Sequence, residues 1–181
     1  MNKRIKILIL LILYISTCFY IYNNQNKNTT KINTSLVTKI GRNIQNIKYK
    51  EDKIGELYIQ NINLRENLYK ENSYLNNVDR NITILKGSTS PEITNSMIII
   101  AAHSGTGHLA YFQNLNKLNI NDKISLTYNN KEYNYTIKDI WNEKKTGTIK
   151  IPKENTNQLV LTTCSPNKKN YQLIINCTLK E

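Results

Sequence analysis

Two residues, each at the end of an apolar run, carry side chains that can do chemistry. His103 follows Ile98–Ala102 and precedes a glycine-containing loop, and Cys164 follows Leu159–Thr163 and precedes a proline turn. Apolar runs of this length are typical of buried strands, so each side chain is expected where a rigid strand meets solvent. A thiolate is the attacking species of cysteine enzymes, and a nearby imidazolium favours it and can later protonate a leaving amine.

The same two residues also have structural interpretations. A cysteine at a strand end is commonly an inert buried thiol, and a single histidine commonly lies on the surface. The wide separation of His103 and Cys164 does not weigh against chemistry, since such pairs meet in space. The pattern alone leaves a catalytic pair and an unreactive pair both open.

Four segments around these residues resemble the sortase family. They are Ile54–Ile59, similar to the family's first strand; Ala102-His103, similar to its strand-end histidine; Asn114–Ile124, similar to the stretch that follows; and Val160–Cys164 (VLTTC), similar to its T-L-x-T-C signature. The resemblance covers Ile54–Leu179 and implies an all-β fold, a closed eight-stranded β-barrel with short helices.

The resemblance implies an extracellular cysteine transpeptidase. Cys164 would attack the carbonyl between Thr and Gly of a surface protein's C-terminal sorting signal, often of LPxTG type, with His103 as acid and base. An amine of a cell-wall precursor would then resolve the acyl enzyme. Weaker candidates for substrate contact surround the pair: Ala102, Ser104, His108, Thr162 and Thr163. For His108, an exposed loop position is the alternative.

Three positions depart from the family: Val160 replaces the first Thr of the signature, Ala102 stands where Gly is common, and the third departure, at the position of a family arginine, is the most serious. Sortases carry an arginine on the strand after the cysteine, just before an apolar run, where it donates hydrogen bonds to substrate carbonyls or the developing oxyanion. Here that run is Leu173–Ile175, the residue before it is Gln172, and no arginine follows Arg80. A glutamine amide donates hydrogen bonds but is neutral and lacks the guanidinium fork. Gln172 is therefore the candidate for the third catalytic role, with Lys168 and Lys169 as alternative sources of charge.

No metal or other cofactor is expected. A zinc site formed by His103, His108 and Cys164 lacks an obvious fourth ligand. Some sortases bind calcium near the loop before the cysteine strand, but residues 144–158 hold several lysines and only one glutamate here, which disfavours a hard cation.

The three cysteines do not predict a disulfide framework. Cys18 lies in the N-terminal apolar run. Cys177 lies at an odd offset from Gln172, which places it on the opposite face of a strand, so a core position is expected.

Short β-prone runs after Gly55 must position the reactive pair. They are Leu57–Ile59, Met97–Ala101, Ile124–Tyr128, Tyr133–Ile140, Leu159–Thr163 and Leu173–Thr178. Short helical turns are predicted near Tyr74–Val78 and Tyr111–Leu115. Many short strands with few long helices indicate a barrel or a sandwich, and residues 54–181 are the predicted catalytic domain.

The N-terminal segment predicts a membrane anchor. Residues 1–4 are basic and predicted to be cytoplasmic, and residues 5–22 are largely apolar, near the shortest length for a spanning helix. No small-x-small cleavage site follows, so an uncleaved anchor is favoured over a signal peptide or a lipoprotein signal ending at Cys18. Residues 23–53 predict an extracellular tether and, from Ser35, an amphipathic helix.

The formal net charge of +12 predicts anionic partners, such as acidic wall polymers and lipid headgroups. Nucleic acid is not expected, because the sequence has no zinc-finger spacing, aromatic RNA-binding motif or phosphate loop. The expected partners are proteins with sorting signals and a wall-precursor amine.

No aromatic-acidic lid motif precedes the domain and no second apolar anchor ends it, so a class D-like or housekeeping-like enzyme is expected rather than a pilin polymerase. A non-catalytic binder of sorting signals and a cysteine hydrolase of wall peptides are the alternatives.

Overall fold

The computed structural model describes residues 3–180, and the side chains of residues 3–12, 25–34, 46–49 and 51 lie outside the description. The chain divides into two compact units, one up to Lys48 and one from Tyr49 onwards. Helix α1 spans Lys3–Asp52 and includes both the predicted anchor and the predicted tether. Among the apolar residues that predicted a helix after Ser35, four lie exposed on α1: Leu36, Val37, Ile40 and Ile44.

In the part of the chain that the structure describes, no helix combines the length and the apolar character that crossing a membrane requires. The anchor over residues 5–22 therefore stays a prediction, and the side chains of its residues 5–12 lie outside the description.

The described residues of the second unit form one eight-stranded sheet. Its strands are β1 (Lys53–Ile59), β2 (Leu64–Tyr69), β3 (Thr83–Ile84), β4 (Met97–Ala101), β5 (Lys123–Tyr128), β6 (Lys131–Lys144), β7 (Gln158–Cys164) and β8 (Tyr171–Leu179). The strand order is β2-β1-β5-β6-β8-β7-β4-β3, and the β4–β7 pair is parallel. Two 3-10 helices, Gln60–Ile62 and Leu115–Lys117, interrupt the connections.

The sheet curls into a nearly closed barrel. Its two edges come together beyond β2 and β3, where Asn81 Nδ2 donates a hydrogen bond to Asn67 O at 2.7 Å. The predicted eight-stranded β-barrel is thus confirmed for the second unit, with the barrel nearly rather than fully closed, and the described chain is mostly β rather than all β because it also contains α1. Alternating inward side chains such as Leu57 and Ile59 fill the core and are fully buried.

Strands β7 and β8 lie in the middle of the sheet and are buried on both faces over most of their length. The connection between β6 and β7 packs back onto β7: Glu154 N donates to Gln158 Oε1 at 3.0 Å, and Gln158 Nε2 donates to Pro152 O at 2.8 Å. This burial explains the continuous apolar run of β7, and it gives the strand that ends at Cys164 a rigid setting.

The six predicted runs all form strands, but β2 and β3 were not predicted. In β2 only Leu64 and Leu68 are buried, and β3 has two residues, so neither shows a clear β pattern. The helical turn predicted near Tyr74–Val78 is wrong, since that segment is a series of turns. Asn76 Oδ1 accepts hydrogen bonds from Thr83 Oγ1 and Ile84 N of β3, and these bonds hold the turns in place. The other predicted turn leads directly into Leu115–Lys117.

Candidate active site

Strands β4 and β7 bring His103 beside Cys164. Their parallel register pairs Ala101 with Thr162, and both chains leave the pair in the same direction. The pairing ends at Ala101 and Thr162, and two more residues on each chain lead to His103 and to Cys164. Because neighbouring strands lie about 4.8 Å apart, the segments that carry the imidazole and the thiol run side by side at one end of the barrel.

Hydrogen bonds continue this connection beyond the end of β4. They run from Ala102 N to Thr162 O (3.3 Å), from Thr163 Oγ1 to Ala102 O (2.7 Å) and from Ser104 Oγ to Cys164 O (3.0 Å). A further bond, from Phe112 N to His103 O at 3.0 Å, ties the histidine backbone to the following loop. The segments that carry the two reactive side chains are therefore fixed to each other by main-chain and hydroxyl contacts.

The two cysteines of the barrel have opposite environments. Cys164 is exposed, and Cys177 is a free thiol with no exposed surface. Burial raises the pKa of the Cys177 thiol, because the surrounding apolar groups disfavour a thiolate. The predicted core position of Cys177 is confirmed, and Cys164 is the barrel thiol that a substrate can reach.

Gln172 lies in a row of side chains that crosses three strands. It is the register partner of Cys164 across β7 and β8 and of Glu143 across β6 and β8. Register partners on adjacent strands have Cβ atoms about 4.5–5.5 Å apart, so the side chain of the half-buried Gln172 starts next to that of Cys164, on the same face of the sheet. The strand pairing thus puts Gln172 next to Cys164, and its role in catalysis stays a prediction.

A lysine that the sequence analysis did not assign to the site contacts the thiol. Lys145 Nζ lies 2.8 Å from Cys164 Sγ, and Lys145 follows the last residue of β6. In the sequence, Lys145 was noticed only as one of several lysines in the loop before the Cys164 strand, and these lysines disfavoured a calcium site there. The alternative lysine Lys168 instead lies over the Tyr171 ring, 5.5 Å from its centroid.

An aspartate was also missed by the sequence analysis. His103 Nε2 lies 3.1 Å from Asp79 Oδ1, with 45% of the histidine side chain and 75% of the aspartate side chain exposed. Asp79 belongs to the turns between β2 and β3, where its main-chain N–H donates to Asn77 Oδ1 at 2.9 Å. Its carboxylate can orient the imidazole, although exposure to water limits the strength of the pair.

A cavity of about 280 Å³ lies between the loop after His103 and the turn after Cys164. Its lining comprises Ser104, Gly105, Thr106, Phe112, Gln113, Asn116, Thr163, Pro166 and Leu173. Of the predicted substrate-contact residues, Ser104 and Thr163 line this cavity. Ala102 and Thr162 are buried, and His108 is exposed and outside the lining.

The geometry can now be compared with known proteins. The family model of the sortase domain matches residues 57–180, a span that includes His103 and Cys164. No curated protein matches the chain by sequence.

Solved sortase structures share the fold. A lid mutant of sortase A from Corynebacterium diphtheriae is 22% identical with a TM-score of 0.62, over 71% of this chain and 70% of that one. Sortase C1 from Streptococcus agalactiae is 23% identical with a TM-score of 0.61, over 72% and 68%. Streptococcus pneumoniae sortase C is 20% identical with a TM-score of 0.63, over 72% and 70%. At such identities the likeness concerns the fold alone.

Proposed function

This chain belongs to the sortase family, and from that premise we propose that it is a cysteine transpeptidase. Cys164 is the nucleophile, His103 is the acid and base, and Gln172 donates a hydrogen bond to the reacting carbonyl. The observation that supports the proposal is the parallel pairing of β4 and β7, which ends two residues before His103 on one strand and two residues before the exposed Cys164 on the other. Gln172 adds a donor on the next strand.

The first half-reaction forms a thioester. The Cys164 thiolate attacks the scissile carbonyl carbon, and the C=O electron pair moves onto oxygen. The Gln172 amide, beside the sulfur, can donate a hydrogen bond to that oxyanion. When the carbonyl re-forms, the C–N bond breaks and the leaving amine takes a proton from the His103 imidazolium.

The second half-reaction releases the protein. An incoming amine attacks the thioester carbon while the now neutral His103 takes a proton from it. The C–S bond then breaks, a new amide forms, and sulfur departs as the thiolate. The cycle ends with the thiolate and imidazolium with which it began, so no net proton is gained or lost by the pair.

We place the substrate in the LPxTG class of sorting signals and the acceptor among wall-precursor amines. Family membership supports this assignment. The cavity beside the pair supplies both apolar surface, from Phe112, Pro166 and Leu173, and hydroxyl groups, from Ser104 and Thr163. Such a mixture suits a peptide with apolar and hydroxyl side chains.

Within the family, we propose a housekeeping-like or class D-like role. Residues 23–53 contain no aromatic-acidic lid motif, which disfavours pilin polymerisation. Ligation to a wall-precursor amine, in preference to a second surface protein, is the result that agrees with this assignment.

A labelled sorting peptide, offered with and without an amine acceptor, tests the activity. A ligated product is expected. Cleavage without ligation in the presence of the amine would instead identify a cysteine hydrolase. Binding without either product would identify a non-catalytic binder, which the neutral Gln172 would then explain.

The proposed location is the outer face of the cell membrane, with residues 5–22 as the anchor. The basic residues before an apolar run support it. Full-length protein is expected in the membrane fraction, and protease added to wall-stripped cells should degrade the domain. A mature N-terminus at Cys18 or later would contradict an uncleaved anchor.

A further inference from the structure

The contact between Lys145 and Cys164 gives the site a positive charge that Gln172 does not supply. The lysine ammonium lies 2.8 Å from the sulfur. Within the described residues, Lys145 is the one cationic side chain in hydrogen-bond contact with Cys164, and it forms no ion pair with a carboxylate. Among these contacts, the partner of the Lys145 ammonium is therefore the Cys164 sulfur.

The position of Lys145 follows from the strand register. Lys145 N donates to Asn170 O at 2.9 Å, which extends the β6–β8 pairing one step beyond the last partners, Lys144 and Tyr171. Because side chains alternate along a strand, Lys145 lies on the same side as Glu143, two residues earlier. That side is the one on which Gln172 and Cys164 lie, so an extended lysine reaches the sulfur from a fixed backbone.

The chemical need for this charge is clear from the residues around the thiol. An ordinary cysteine is only a few per cent thiolate at pH 7, and a neighbouring cation favours the thiolate. Gln172 is neutral. The charged form of His103 is paired with Asp79, which offsets part of its field at the sulfur.

We infer that Lys145 is a catalytic residue that holds Cys164 as a thiolate before attack, an assignment that rests on the proposed function. The ammonium keeps its proton throughout and takes part by charge and hydrogen bonding alone. It reaches the nucleophile from the end of β6, while Gln172 on β8 is left to donate to the oxyanion. The two tasks are thus divided between two residues on neighbouring strands.

The test measures thiol reactivity without any substrate. Iodoacetamide is uncharged, so its alkylation rate reports the thiolate and not attraction of the reagent. The full chain should carry Cys18→Ser, because Cys18 is exposed and would also react, whereas Cys177 is buried. The variants are Lys145→Met, which removes the charge at similar length, and Lys145→Arg, which keeps it. The matched control is Lys144→Met, which makes the same charge change at the neighbouring exposed residue.

At pH 7 and low salt, Lys145→Met should alkylate Cys164 about five- to tenfold more slowly, the effect of one charge-assisted contact at an exposed site. Lys145→Arg should keep most of the native rate, and Lys144→Met should stay within about twofold of it. Salt gives an independent measurement on the native chain. Its rate should fall as ionic strength rises to about 1 M, where charges are screened within about 3 Å, while Lys145→Met should show little salt dependence.

The assignment would be overturned if Cys164 of Lys145→Met were alkylated at the native rate and if the rate of the native chain did not depend on salt. Peptide turnover then separates the two proposals. If native protein cleaves a sorting peptide and Lys145→Met cleaves it equally well, the Lys145 role fails and the proposed function stands. If nothing is cleaved but Lys145→Met still slows alkylation, the proposed function fails and the lysine contact stands.

Discussion

Cys164 and Gln172 are register partners at the last position of the β7–β8 pair. The Gln172 side chain therefore starts next to that of Cys164, on the strand where sortases carry an arginine. A neutral amide has the reach to donate a hydrogen bond but has no charge to add. A hydrogen-bond donor thus occupies the position of the family's arginine, but it is a neutral amide and forms weaker hydrogen bonds than a guanidinium.

Replacing Gln172 tests whether this donor acts in catalysis. Gln172→Ala should lower kcat/KM for a sorting peptide by about 10²-fold, the lower end of the cost of losing an oxyanion donor. Gln172→Glu should be at least as impaired, because it replaces a donor with an acceptor carboxylate beside the thiol. Gln172→Arg should raise turnover if the pocket holds the longer side chain. An alanine variant with native kcat/KM would show that Gln172 has no catalytic role.

The Asp79–His103 pair should contribute modestly to turnover. Asp79→Asn removes the carboxylate from the imidazole, and turnover should fall by about two- to fivefold, since exposed ion pairs are weak. Glu71→Gln is the matched control, because it removes one negative charge from the same connection at an exposed position. Loss of more than about 100-fold in Asp79→Asn, or equal loss in both variants, would contradict a modest orienting role.

Cys177 should matter for stability and not for chemistry. Its buried thiol, with a raised pKa, is protonated at neutral pH. Cys177→Ser should lower the free energy of unfolding by about 1–3 kcal/mol, because it buries a hydroxyl in the core, and the folded fraction should keep near-native turnover. Urea denaturation and active-site-normalised rates measure the two effects. A folded Cys177→Ser with abolished turnover would contradict this division.

The sequence predicted those elements whose patterns are local. The apolar run Met97–Ala101 coincides with β4, and the run before Cys164 with most of β7. Strand β2 was not predicted, because its half-exposed pattern is as typical of turns and loops as of strands.

The contacts of the site were only partly predictable. Gln172 was assigned through the resemblance to sortases, because it stands where the family has an arginine, just before an apolar run. Lys145 and Asp79 were not, because neither lies near its partner in sequence. Lys145 reaches Cys164 through the lateral order β6-β8-β7, and Asp79 reaches His103 from turns that have no periodic pattern. Such contacts depend on how the strands are arranged and not on any local signal.

Gly55 provides a test of the barrel itself. A Cβ at this position would collide with Thr127 O, a main-chain atom of β5, so the strands would have to separate. Gly55→Ala should lower the free energy of unfolding by about 1–3 kcal/mol, measured as a lower urea midpoint with an unchanged slope. Gly41→Ala is the control, since nothing lies within 4 Å of its Cβ. Equal midpoints for Gly55→Ala and native protein would contradict the close approach of β1 and β5.

The central claim is that Cys164 forms the acyl enzyme with the help of His103. The most direct measurement is mass spectrometry of the native chain incubated with a sorting peptide in the absence of an amine. The account predicts a thioester adduct on the Cys164 fragment, absent in Cys164→Ala, strongly reduced in His103→Ala and retained in Cys177→Ala. An adduct on another residue, or peptide cleavage that persists in folded Cys164→Ala, would contradict it.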